Sequence, residues 1–96
     1  MKIKIVKGFI TQRMGDKITI FDAEKSVLLT FNNTATFIFD QLKKGVDTKK
    51  IITELANEFK ITEEKAKKDA DEFIKTLLLK GLAKKERNNQ PQTKIR

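Results

Sequence analysis

The side chains of this 96-residue chain that could do chemistry are carboxylates, lysines, arginines and hydroxyls, because the sequence contains no Cys and no His. Their absence removes thiolate and imidazole metal ligation, a cysteine nucleophile and the usual serine triad with its imidazole base. A carboxylate such as Asp69 stands four residues after Lys65, the spacing of an ion pair on a helix surface. Lysines and carboxylates occur throughout, yet nowhere do they concentrate into a polar constellation that would name an acid and a base. No nucleotide-binding loop is present. The chain is therefore expected to have no catalytic residues, no cofactor and no metal, and to act by binding.

Charge narrows what it could bind. The formal net charge is +8, but residues 1–8 contribute +3 through Lys2, Lys4 and Lys7. Residues 80–96 contribute +5, through Lys80, Lys84, Lys85, Arg87, Lys94 and Arg96 against Glu86, so residues 9–79 sum to zero. Terminal charge of this kind steers encounters with acidic partners, and no basic stripe crosses the middle of the chain. The apolar run at the N-terminus is too short for a signal peptide, and no segment approaches the roughly 20 apolar residues of a membrane span. A cytoplasmic protein that does not enter membranes is expected.

The elements that must position a binding site are organised around residues 26–45, where an uncharged β-type run gives way to an amphipathic helix across Asn32 and Asn33. Val27, Leu29 and Phe31 alternate with Leu28 and Thr30, so both faces of this strand are mostly apolar, as if both were covered. Either asparagine can cap the helix that follows, whose expected buried stripe is Phe37, Ile38 and Leu42 with Ala35 and Phe39 on its shoulders; Gly45 closes it. Upstream, residues 9–14 and 17–22 form a hairpin across Gly15-Asp16, and a four-residue connection leads into residues 26–31, which completes a meander. Residues 2–7 alternate Lys with Ile or Val, the pattern of a half-buried strand or an extended arm.

Downstream, Asp47 or Thr48 caps a second helix reaching about Phe59, with Ile51, Ile52, Leu55, Ala56 and Phe59 on one face. Thr62 caps a long third helix, with Glu63 and Glu64 at its positive end and an apolar face of Ala66, Ala70, Phe73, Ile74, Leu77 and Leu78. Gly81 ends it, and Leu82-Ala83 can return briefly to the sheet. Residues 87–96 are polar and aperiodic and read as a disordered basic tail behind a single domain of residues 1–86. The seven Phe residues are expected in the core rather than on a ligand platform. The fold class is α+β: a three-stranded antiparallel β-meander followed by three α-helices, an order like that of a winged helix-turn-helix.

The residues Phe31-Asn32-Asn33-Thr34-Ala35 resemble the hydrophobic, Asn, any residue, Thr, Ala run that follows the third strand in the PqqD-like family. That family is named for a component of coenzyme PQQ biosynthesis, and its fold is shared by the precursor-peptide recognition elements of ribosomally made, modified peptides. Gly45, Ile51, Leu55-Ala56, Asp69, Phe73, Leu77 and Gly81-Leu82 stand at further matching positions, so the likeness covers roughly residues 9–86. The resemblance implies a non-catalytic adaptor that captures the leader segment of a precursor peptide and presents it to a modifying enzyme: a radical SAM enzyme, a cyclase or a leader protease. It also implies that the leader pairs beside the third strand, in a groove closed by the third helix. Here that places the peptide on Val27, Leu28, Leu29, Thr30 and Phe31, and on one flank of the helix, Asp69, Phe73, Thr76 and Lys80. The composition of the strand agrees with this, since it carries no lysine or proline to guard an exposed edge.

Other readings compete. A homodimer, or residues 2–6 of the same chain, could cover that edge and remove the site, so monomer and homodimer both stand. A winged-helix DNA-binding regulator shares the element order. Its recognition helix would need cations, whereas residues 63–75 carry four lysines against five carboxylates and no Arg. Nucleic acid is therefore the disfavoured partner.

Overall fold

In the computed structural model, which describes residues 2–86, strands and helices follow the expected order. They are β1 (Lys2–Ile5), β2 (Ile10–Met14), β3 (Lys17–Asp22), β4 (Val27–Thr30), α1 (Asn33–Lys43), α2 (Thr48–Phe59), α3 (Glu63–Leu79) and β5 (Ala83–Glu86). The tail expected at residues 87–96 lies outside the described residues. The architecture is α+β: the meander β2-β3-β4, antiparallel throughout, precedes the three helices.

The two ends of the described chain make a second, separate sheet. β1 pairs antiparallel with β5, Ile3 opposite Lys85 and Ile5 opposite Ala83. The return of residues 82–83 to a sheet thus occurs, but to β1 and not to the meander. Residues 2–6 consequently do not cover β4, which stays at the margin of its sheet. The pairing follows from alternation: Ile3 and Ala83 are buried while Lys2, Lys4 and Lys84 face solvent, so the ribbon is half-buried.

Each helix begins on a side-chain cap. Asn32 accepts from the Ala35 amide at 2.8 Å, Asp47 from Lys49 at 2.9 Å and Thr62 from Lys65 at 3.0 Å. The Asp47 carboxyl is held below its ordinary value first by that Lys49 amide, which favours the charged form. Two helices end alike. In α1 the Gly45 amide bonds Leu42 and the Val46 amide bonds Gln41; in α3 Gly81 bonds Leu78 and Leu82 bonds Leu77. Both glycines take positive φ, 81° and 73°, as this double-bonded ending requires. Helix α2 has no glycine there, and Lys60 adopts φ 55° instead.

The core lies between the meander and the helices. Ile18 and Ile20 of β3 share one buried cluster with Ile38 and Phe39 of α1, Ile51 and Leu55 of α2, and Leu77 of α3. The stripe of α1 is rotated from the expected one: Phe39 is fully buried with Ile38 and Leu42, while Phe37 is half-buried and leans on Phe59 of α2, ring centroids 5.8 Å apart. Phe39 is drawn inward by rings on two sides, Phe31 at 5.2 Å and Phe9 at 6.4 Å, which a single-helix projection does not contain. Among the described residues, no helix is long and apolar enough to cross a membrane.

Candidate functional site at the margin of the meander

Strand β4 has only one neighbour. Its register against β3 pairs Thr30 with Thr19, Leu29 with Ile20, Leu28 with Phe21 and Val27 with Asp22, and the Phe31 amide donates to the Ile18 carbonyl at 2.8 Å. In an antiparallel ladder both backbone groups of a residue point to the same side, and successive residues alternate. Val27, Leu29 and Phe31 therefore face β3, and the N–H and C=O groups of Leu28 and Thr30 point out of the sheet. Two residues, carrying four backbone groups, are the hydrogen-bonding margin on the β4 side of the meander, and β2 forms its other margin.

The side chains of β4 divide the other way. Val27 is buried and Leu29 half-buried toward the helices, while Leu28 is 69% exposed on the opposite face. The expectation that both faces of this strand are covered is corrected here, because no helix packs on the outer side. Leu28 continues a cross-strand row of Phe21, 45% exposed, and Ile10, 65% exposed. Phe21 is thereby the exception among the phenylalanines: the other six take part in ring contacts between elements.

Helix α3 runs beside β4 in the opposite direction. At one end the Phe31 ring meets Phe73 edge-on at 4.8 Å. At the other, a Cβ added at Gly81 would come within 3.1 Å of the Lys25 side chain in the β3–β4 turn. That turn is fixed by Asp22, whose buried carboxylate accepts from the Lys25 amide at 3.1 Å and meets its ammonium at 3.5 Å. Strand margin and helix flank are therefore held in a set relation.

Near Phe73 the flank opens onto a cavity of about 560 Å³ between the start of α1, the α2–α3 turn and α3. Asp69, Phe73 and Thr76 line it, with Asn32, Ala35 and Phe59. Three of the four helix residues singled out in the sequence are thus brought together beside Phe31. Lys80 is exposed, beyond the residues that line the cavity. Asp69 is held by Lys65 at 3.0 Å, as its spacing indicated, and Thr76 Oγ donates to the Glu72 carbonyl at 3.0 Å. Lys67 and Asp71, on another flank of the helix, pair at 2.7 Å. Sequence reasoning missed Asn32, Ala35 and Phe59 as lining residues because each already had a local role, as a cap or in an apolar stripe. The signal available was the side on which Ala35 and Phe59 leave their stripes.

Comparison with known proteins matches residues 18–83 to the family model described as Coenzyme PQQ synthesis protein D (PqqD). A search of curated protein sequences finds no match. Two solved structures have the same fold. One is described as TbiB1 in complex with the TbiA(beta) leader peptide, at TM-score 0.78 and 15% identity, covering 88% of this chain and 99% of that one. The other is a lasso peptide synthetase B1 complexed with the leader peptide, at TM-score 0.78 and 16% identity, covering 88% of this chain and 100% of that one. At such identities the likeness is one of fold.

Proposed function

The chain belongs to the PqqD family, and from that premise we propose that it is a non-catalytic adaptor, which binds the leader segment of a ribosomally synthesised precursor peptide and presents it to a modifying enzyme. The observation that carries this reading is the outward-pointing backbone of Leu28 and Thr30 beside the flank of α3. A peptide strand added there takes up those four groups, and backbone pairing grips while side-chain pockets select. Peptide residues opposite Leu28 and Thr30 turn their side chains to the outer face, where an apolar one extends the row of Ile10, Phe21 and Leu28. The residue between them turns inward toward Leu29, Phe31 and Phe73, with Thr76 and Asp69 at the polar end and Lys80 at the entrance. The leader complexes of the two solved structures with this fold support the same assignment.

Isothermal titration of the full chain against the leader of the precursor encoded beside its gene tests it, together with amide hydrogen exchange. Binding should slow exchange in residues 27–31 and along the Asp69 flank together. No heat at high micromolar peptide, or protection confined to the Lys67 and Asp71 flank, would refute the assignment.

A further inference from the structure

The fold brings lysines from the two ends of the described chain, Lys2, Lys4 and Lys84, to one face of the β1–β5 ribbon. In the β1–β5 ribbon Lys4 stands directly opposite Lys84, and Lys2 shares their outward face. Like charges directly opposed across a ladder are destabilising, and no carboxylate of residues 2–85 forms an ion pair with any of the three, although the register sets Glu86 opposite Lys2. Beside the ribbon lies an open cleft of about 510 Å³, walled by residues 3–9 and the end of α1. Its walls include the aliphatic side chains of Ile3, Ile5, Val6 and Leu42. Cations border it: Lys4, Lys7 and Lys43, the last over the Phe39 ring at 5.7 Å from the centroid. None of the cleft's lining residues belongs to the groove beside β4.

We propose that this cleft and the lysine face next to it bind an acidic peptide segment carrying apolar side chains among its carboxylates. The charge complements the carboxylates, and the volume is in the range that takes side chains of a ligand. Nucleic acid fits the surface less well. The ribbon's described cations are all lysines, which lack the planar fork that grips phosphate, and the one described arginine, Arg13, is bound to Asp40 at 2.7 Å on another face. The one aromatic residue that lines the cleft, Phe9, is half-buried and packs against Phe39, ring centroids 6.4 Å apart, so it offers bases a poor stacking platform, and Phe21, the exposed ring, belongs to the other sheet. This site stands whether or not a leader occupies the β4 margin.

The test uses the full chain and four labelled probes: an octapeptide of alternating Glu and Leu, its Gln-Leu and Glu-Ser counterparts, and a single-stranded DNA oligonucleotide. Fluorescence anisotropy at low salt should show the Glu-Leu peptide bound most tightly, and amide shifts on binding should fall in residues 3–11 and 42–45. Lys4→Glu replaces a repulsive cross-strand pair by an attractive one with Lys84, so the variant should melt no lower than the parent. It should nevertheless bind the Glu-Leu peptide roughly tenfold more weakly, since one cation is lost and one anion gained. Lys67→Glu on α3 should leave that affinity within about twofold, being a distant exposed charge. Equal binding of the Gln-Leu or Glu-Ser peptide, tighter binding of the DNA, unchanged affinity in a folded Lys4→Glu, or shifts confined to residues 27–31 would each overturn the proposal. Because the last result would leave leader binding intact, failure here and failure at β4 are read separately.

Discussion

Leu28→Pro isolates the backbone contribution of the β4 margin. Proline removes one N–H, and at Leu28 that N–H points away from β3, so no bond of the existing ladder is lost. With net values of about 0.5–1.5 kcal/mol per hydrogen bond, the four groups of Leu28 and Thr30 contribute roughly 2–6 kcal/mol to holding a peptide strand. Loss of one donor, with the ring crowding the strand that would approach it, costs about 1–3 kcal/mol, or about a 5- to 150-fold rise in Kd. Isothermal titration with the leader reads that change directly. The fold should lose no more than about 1 kcal/mol, which for a domain of this size lowers Tm by about 4–8 °C in a circular dichroism melt. Leu29→Pro is the geometric contrast: its amide faces β3, so it should disrupt the strand itself. A folded Leu28→Pro protein that binds the leader with unchanged Kd would refute the strand-addition reasoning.

Three other substitutions probe the scaffold. Lys60→Gly relieves a side chain from φ 55° at the end of α2 and should raise stability by about 0.5–1 kcal/mol, measured by urea unfolding. Thr36→Val replaces a buried hydroxyl that has no hydrogen-bond partner in the described structure, and should leave Tm unchanged or raise it, whereas a fall would reveal a partner for that oxygen. Asp47→Asn keeps the capping oxygen and removes its titration. Because the Asp47 pKa is lowered from 3.8, its extra stability is present above that value and is lost as pH falls through the folded-state pKa. The Tm advantage of the parent over Asp47→Asn should accordingly shrink between pH 6 and pH 3, and an advantage constant with pH would show that the charge contributes nothing.

Local signals in the sequence carried far. Caps and stops were legible because each rests on one or two residues: Thr62 before a run with two glutamates, or Gly45 and Gly81 after the last apolar position, specify a helix end almost alone. Spacing also showed that Asp69, Phe73 and Thr76 share a side of α3, and that side opens on one cavity, whereas spacing did not tell which side of the helix faces β4; that choice rested on the family resemblance of Asp69. What escaped were facts belonging to two elements at once. The stripe of α1 turned because Phe9 and Phe31 draw Phe39 inward, and the outer row of Ile10, Phe21 and Leu28 exists only in the register of three strands. An apolar residue on a strand reports that something should cover it, and does not say whether the cover is part of the same chain.

The pairing of the chain ends shows how much hangs on one such choice. β1 has a single apolar face, Ile3 and Ile5, and must bury it while Lys2 and Lys4 stay in water. Laid against β4 instead, it would have taken up the backbone groups of Leu28 and Thr30. Paired with β5 it sets Ile5 opposite the buried Ala83, close to α1 and α3, and the Val6 amide extends the ladder by donating to the Leu82 carbonyl at 3.0 Å. Leu82 is itself fully buried and follows directly on the double-bonded ending of α3, so the glycine stop that fixes the end of that helix also fixes where β1 finds its partner. The register that buries Ile3 then sets Lys4 against Lys84. One solution to covering a half-apolar strand thus leaves the β4 margin unpaired at one place and sets Lys2, Lys4 and Lys84 on one face at another.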